Sequence, residues 1–289
     1  MLRAPPEERS IDALRRFGVV NLDKPPGPSS HQVAAWVRDS VDVDRAAHAG
    51  TLDPKVTGCL PVLTGDATRL SQVFLEGGKE YVAVLELHRP APASLDRVLS
   101  EFEDELYQKP PRKSAVSRRL RTREITDLEL LDLEERRALL RIRCESGTYV
   151  RKLCHDIGLA LGTGAHMGDL RRTGTDPFDD TDLVTLYDLT DALAFAEEGD
   201  EGWLREVLRP AEEALTHLPR VTIAESAARE VAEGAPVYAP GVLDSEVGPA
   251  GEPLVACFTP DGSAICLGRL VGDPGMESGP VVDLERVLV

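Results

Sequence analysis

The chain reads as an α+β protein closed by a small all-β unit, on three observations. Strand-like and helix-like segments are interspersed over residues 1–187 without a regular βαβ rhythm. The stretch 188–213 holds nine acidic residues against two Arg, with apolar residues at helical spacing. Beyond it, 214–289 is rich in Gly, Pro and Val, in short apolar runs between turn signals. At 289 residues the chain can bury a substantial core. The composition shifts place a division into residues 1–213 and 214–289.

Taken in order, the run from Phe17 to Leu22 predicts a strand, ended by the turn from Lys24 to Pro28. Ser30 is the expected N-cap of a helix over 31–39, with Val33, Trp36 and Val37 on its apolar face. Residues 80–87 alternate as a strand does, and 139–144 form another. The latter turns at Ser146, Gly147 and Thr148 into a helix over 149–161. In 188–213, Leu189, Leu193, Phe195, Leu204, Val207 and Leu208 predict helices rather than a linker. In the tail, Val255–Phe258 and Ala264–Leu267 flank a turn at Pro260–Gly262, as in a small barrel or sandwich.

The hydrophobic share of 42% is ordinary, and no apolar run approaches the roughly 18 residues of a membrane span. Residues 1–10 lack the apolar centre of a signal peptide, so a cytoplasmic protein with no membrane partner is expected. Cys59, Cys144, Cys154, Cys257 and Cys266 sit singly, which fits neither a disulfide framework nor a zinc site; they are expected to be reduced packing residues. A net charge of −17 opposes a polyanionic partner at low salt. The basic residues, however, are 27 Arg and only 6 Lys. Scarce Lys with abundant Asp and Glu points to adaptation to molar salt, where the Debye length falls to about 3 Å and exposed charges are screened.

Two glycine-bearing segments compete as sites. Residues 162–168 imitate a dinucleotide-binding loop, but they follow a helix instead of a strand and miss the GxGxxG spacing, so they read as a helix C-cap and turn. Residues 48–58, HAGTLDPKVTG, differ. Pro54 biases Asp53 away from helix, and Gly50 and Gly58 frame a tight loop able to bring a carboxylate close to a flat ligand. Taken alone, such a segment is more often an ordinary Asp-Pro turn.

Its surroundings add meaning. The DKPPG turn at 23–27, the SGTYVRK run at 146–152 and Leu170-Arg-Arg172 together resemble the family of bacterial tRNA pseudouridine synthase B and its archaeal and eukaryotic relatives, the catalytic subunits of H/ACA ribonucleoproteins. The match to HAGTLDPKVTGCLPV is nearly uninterrupted, and the resemblance spans about residues 17–289. The QKPPRKSAVSRRLR segment at 108–121 looks like the archaeal branch, and the tail from Val221 looks like a PUA domain, an RNA-binding barrel. The resemblance implies a catalytic domain on a mixed, mainly antiparallel sheet with flanking helices, plus the PUA barrel.

It further implies uridine-to-pseudouridine isomerisation in RNA, without cofactor or metal. Asp53 takes the catalytic position, as nucleophile or proton-transfer group, and Arg151 matches its counter-ion; its bland alternative is a helix-surface Arg. Tyr81 matches the tyrosine that stacks on the flipped base, and an extruded uridine gains from such a platform; otherwise it is an ordinary strand aromatic. Tyr149 and Leu170 correspond to pocket-lining positions. His48 corresponds to a histidine near the nucleotide and could equally be structural. Lys24 is expected to brace the loop rather than react.

Arg112, Lys113, Arg118, Arg119, Arg121 and Arg123 form a basic run without an acid, a candidate for phosphate contact in so acidic a chain. Residues 214–289 carry four Arg against eleven acids, so the contacts of the PUA-like tail must rest on shape and hydrogen bonding. Expected partners are tRNA, or guide RNA and ribosomal RNA with small H/ACA proteins. Two alternatives are a non-catalytic RNA scaffold of such a particle, and an unrelated acidic glycosidase, which would need a second placed carboxylate.

Overall fold

The computed structural model describes residues 2–110, 119–248 and 253–289. In chain order the first part comprises α1 (Ile11–Arg16), β1 (Phe17–Lys24), α2 (Ser30–Val41), β2 (Ala46–His48), β3 (Thr57–Gly65), α3 (Val73–Glu76), β4 (Lys79–Leu87), α4 (Leu95–Ser100), β5 (Glu105–Gln108), β6 (Arg121–Glu134), β7 (Arg137–Cys144), α5 (Val150–Ala160), β8 (Ala165–Thr175), β9 (Phe178–Asp179), α6 (Leu186–Glu197), α7 (Gly202–Val207) and β10 (Arg209–Pro210). The second part comprises β11 (Arg220–Ile223), α8 (Glu225–Ala232), β12 (Val237–Tyr238), β13 (Val242–Ser245), β14 (Leu254–Phe258), β15 (Ala264–Leu270) and β16 (Pro280–Val287).

The first part forms a ten-stranded sheet in the order β10-β1-β3-β8-β4-β7-β6-β5, with β2 on β3 and β9 on β8. Among the described strand pairs of this sheet, β3 and β8 run parallel and the others antiparallel. The α+β reading therefore holds, with a mixed, mainly antiparallel sheet. β4 is its clearest strand: Lys79, Tyr81, Ala83, Leu85 and Leu87 are buried, while Glu80, Val82, Val84 and Glu86 are half-buried. Helix α5 packs on the buried side through Val150, Leu153, Cys154 and Ile157, spaced for one helical face.

Two local expectations change around α2. Its N-cap is Ser29, which with Gln32 closes a capping box. Ser30, one residue later, turns its hydroxyl inward to the loop described below. Trp36 is 46% exposed; the face that packs is Val33, Ala34, Val37 and Val41. Trp36 lies about 110° around the helix from the middle of that face, since each residue advances about 100°. The glycine-rich segment 162–168 is a turn at Gly162 and Gly164, both with positive φ, and from Ala165 onward it is already β8. The acidic stretch contains α6 and α7, as its periodicity predicts.

The second part is a six-stranded sheet, β12-β16-β15-β14-β11-β13, around Val221, Ile223, Val231, Val255, Ile265 and Val281. A further apolar cluster joins the two sheets, with Phe17, Leu63 and Phe74 from the first and Leu254, Phe258 and Leu288 from the second. The joint also holds a buried ion pair. Arg9 donates to both oxygens of Glu212 at 2.7 and 2.6 Å, and Glu212 accepts from the amide of Ala264. All five cysteines are free and buried, in keeping with the packing role expected of them. No described helix is long and apolar enough to cross a membrane.

Candidate active site

The connection 49–56, between β2 and β3, carries Asp53. Three side chains from elsewhere fix it. Lys24, fully buried, donates through Nζ to the carbonyls of Pro25, Pro54 and Val56 at 2.9, 3.1 and 2.9 Å. Burial lowers its pKa, opposed by the charge of Asp53. An ammonium with three carbonyl acceptors ties the two proline-bearing turns together. Ser30 Oγ accepts from the Leu52 amide at 2.8 Å and donates to the Leu52 carbonyl at 3.2 Å. Arg172 donates from Nε to the Cys59 carbonyl at 2.7 Å and from Nη2 to that of Gly50 at 3.3 Å. Gly58 is required here: its φ is +98°, and a Cβ would lie 2.1 Å from the Arg172 carbonyl oxygen.

So held, Asp53 meets Arg151 at 2.8 Å between Oδ2 and Nη2. Their side chains are 49% and 39% exposed, so the pair lines an open site. Arg151 sits in the first turn of α5, whose start is anchored by Gln108. That buried amide accepts from the Tyr149 N–H at 2.8 Å and donates to its carbonyl at 3.4 Å. Tyr149 is the N-cap residue of α5, so its placement beside Arg151 follows from the helix start. Tyr81 and Leu170 are each 9% exposed and share an apolar cluster with Leu52 and Val56 of the loop. Burial pushes the Tyr81 hydroxyl pKa up, and the nearby Arg172 guanidinium pulls the other way.

His48 stands at the start of the loop with its ring edge-on to His31, centroids 4.7 Å apart. Its Nδ1 is buried without a hydrogen-bond partner among the described residues. Burial, reinforced by His31 and Arg172, lowers its pKa to about 4. Stability then depends on pH through this ring. Between about 4 and the ordinary 6.5 the unfolded chain holds the proton more tightly. The contribution is therefore complete above the ordinary value and is lost as pH falls toward 4, by at most ~3 kcal/mol and less given the ring's open side. His48→Gln should flatten the dependence of unfolding free energy on pH between 7 and 4.5. Parallel slopes for variant and parent would refute the buried-neutral reading.

The basic run divides. Arg112, Lys113 and Arg118 lie outside the described residues. Arg119 is exposed and Arg121 half-buried at the start of β6. Arg123 is 20% exposed, ion-paired with Glu145 at 3.4 Å and packed against Gly147. In this conformation it steadies the turn leading to α5 instead of standing out toward a phosphate. Among the described residues no group of three or more His, Cys, Asp or Glu is arranged to hold a metal.

Sequence reasoning assigned no site role to Arg172, Ser30 or Gln108, nor to the Asp23–Arg171 pair, which meets at 3.0 and 3.1 Å. A signal existed in the dipeptides Asp23-Lys24 and Arg171-Arg172. Adjacent strand residues face opposite sides, so each dipeptide supplies one group to each face of the sheet beside the loop.

The chain was compared with known proteins. Residues 38–94 match the family model described as TruB family pseudouridylate synthase (N terminal domain), and 151–216 match the tRNA pseudouridylate synthase B C-terminal domain. Residues 4–34 match the DKCLD (NUC011) domain and 219–274 the PUA domain. A protein of Haloarcula marismortui, "Probable tRNA pseudouridine synthase B", is 67% identical over all of this chain and 94% of its own length. In the crystal structure of a Cbf5-Nop10-Gar1 complex, one chain matches at TM-score 0.94 and 45% identity, over 100% of this chain and 90% of that one. A chain in the structure of an H/ACA RNP bound to a substrate RNA containing 2'-deoxyuridine matches at 0.92 and 43%, again over 100% and 90%.

Proposed function

This chain belongs to the TruB family of pseudouridylate synthases, and we propose that Asp53 performs the central step of its reaction, the isomerisation of uridine to pseudouridine in RNA. The observation that carries this is the Asp53–Arg151 pair in a loop braced from three sides yet open to a ligand. The isomerisation breaks the bond from ribose C1′ to N1 of uracil and forms one to C5; C5 gives up its proton and N1 takes one up, so no net oxidant or reductant is needed. A carboxylate kept ionised and oriented by a guanidinium suits the glycosidic centre. Tyr81 stacks the extruded base, and Tyr149, Leu170 and His48 line its pocket. Lys24 holds the loop in place. Arg119 and Arg121, with Arg112, Lys113 and Arg118, contact RNA phosphates.

Residues 1–213 carry the chemistry and 214–289 form the PUA barrel that binds RNA; the two separate sheets and the PUA match at 219–274 support that division. The substrate is the T-loop uridine of tRNA (position-55 type). As the catalytic subunit of an H/ACA-type particle with guide RNA and small partner proteins, the chain also acts on ribosomal RNA. The enzyme works in the cytoplasm, at high salt. Salt adaptation agrees with the acidic composition and with the haloarchaeal origin of its similar relatives.

The test is to incubate the purified chain at molar salt with an unmodified tRNA transcript, and with guide RNA, partner proteins and a ribosomal RNA fragment. Pseudouridine is then mapped. Modification of tRNA by the chain alone supports the first substrate, and guide-dependent modification the second. No pseudouridine under either condition overturns the reading.

A further inference from the structure

We propose that Arg172 is a positioning residue of the reaction, one that sets the Asp53 loop and the Tyr81 platform in register with one another. This rests on the assignment of Asp53 and Tyr81 to the site, and it concerns a residue to which that assignment gives no role.

The geometry begins with strand order. β8 lies between β3 and β4, and Arg172 is the register partner of Gly58 on one side and of Tyr81 on the other. Gly58 closes the catalytic loop, and Tyr81 belongs to the strand beneath the base. Arg172 is thus the single residue of β8 that pairs with both. Its side chain is 1% exposed. One edge of the guanidinium holds both arms of the loop, at the carbonyls of Gly50 and Cys59, three residues before Asp53 and six after it. On the other side, strand register sets Arg172 directly opposite Tyr81, whose hydroxyl pKa its charge pulls down against burial.

Among the described residues no carboxylate pairs with Arg172. Enclosing a cation without a counter-ion is unfavourable, so its retention calls for a geometric task. A planar fork with five donors can hold two carbonyls at a fixed mutual angle while its backbone pairs with Tyr81; an ammonium on a flexible stem cannot fix that angle. The arm of the loop that offers the Gly50 carbonyl needs glycine for its backbone, since Gly50 has φ +93°.

A merely structural staple would lower stability, RNA binding and rate together. A positioning residue affects the rate selectively. The experiment is Arg172→Lys, which keeps the charge and loses the fork, alone and combined with Tyr81→Phe. Single-turnover rate, RNA affinity and melting temperature are measured in whichever assembly the unsubstituted enzyme is active. Inactivity of the unsubstituted enzyme would count against the functional reading, not against Arg172. Expected for Arg172→Lys is a rate about 30-fold lower, with affinity changed less than about threefold and melting within about 5 °C. In the Tyr81→Phe background the same change should lower the rate less than about fivefold, because the two side chains act as a unit. A rate within about twofold of the parent, a matching loss of affinity, a fall in melting beyond about 5 °C, or an undiminished effect without the Tyr81 hydroxyl each overturn the proposal.

Discussion

Asp53→Asn is expected to abolish pseudouridine formation, lowering the single-turnover rate by about four orders of magnitude or more, while the protein still folds and binds RNA. The amide preserves the size of the side chain and can still accept a hydrogen bond from Arg151. What it removes is the negative charge, together with nucleophilicity and proton affinity. The folding penalty is small because both partners of the 2.8 Å pair are substantially exposed, and exposed pairs contribute about 1 kcal/mol or less. Molar salt screens that contribution further. Tritium release from uridine labelled at C5 reads the chemistry, and filter binding at matched salt reads affinity. A variant that releases tritium at the parent rate would remove Asp53 from the mechanism. One that loses RNA binding instead would make it a binding residue.

Lys24→Met should act through the loop. The ammonium satisfies the carbonyls of Pro25, Pro54 and Val56 at a fully buried position. Methionine fills similar space without a donor. Pro54 keeps a second donor in the amide of Gly27, so the carbonyls of Pro25 and Val56 bear most of the loss. Each buried unsatisfied group is unfavourable by about 1–3 kcal/mol. Relief of the desolvation that lowers the Lys24 pKa offsets part of this. The net expectation is a destabilisation of about 2–4 kcal/mol, or roughly 3–7 °C in melting temperature for a chain of this size. The rate should fall about 100-fold, since displacing a reacting group by about 1 Å has that effect. Affinity for RNA should hold, because Lys24 is enclosed. Unchanged melting with an unchanged rate would show that Ser30 and Arg172 suffice to hold the loop.

The two variants separate what was legible from what was not. Asp53 could be picked out because it lies in an Asp-Pro turn between glycines, and Arg151 and Lys24 because the SGTYVRK and DKPPG segments around them carry the family resemblance. Apolar pattern announced strands over 17–22, 80–87 and 139–144 and a helix over 149–161, and the elements formed span 17–24, 79–87, 137–144 and 150–160. Trp36 misled because a helix face is set by the sheet that covers it, and periodicity alone allowed a face rotated toward the tryptophan. The two serines before α2 were also locally equivalent as caps. Gln32 completes the capping box with Ser29, and Leu52, 22 residues away, takes up Ser30. Arg123 carried the same charge as its neighbours in the basic run, and only the fold brought Glu145 and Gly147 against it.

By itself, the sequence determined the family and the reaction, along with the salt adaptation, and it singled out Asp53 as the candidate carboxylate. These are properties of residue identity in short segments and of composition. Tertiary structure decided which groups hold that carboxylate still. Lys24, Arg172 and Gln108 lie 29, 119 and 55 positions from Asp53 in the chain, and they reach the site through the order and register of β1, β8 and β5. Strand order depends on the closure of the whole sheet and the burial of one of its faces, a collective condition that local periodicity does not encode.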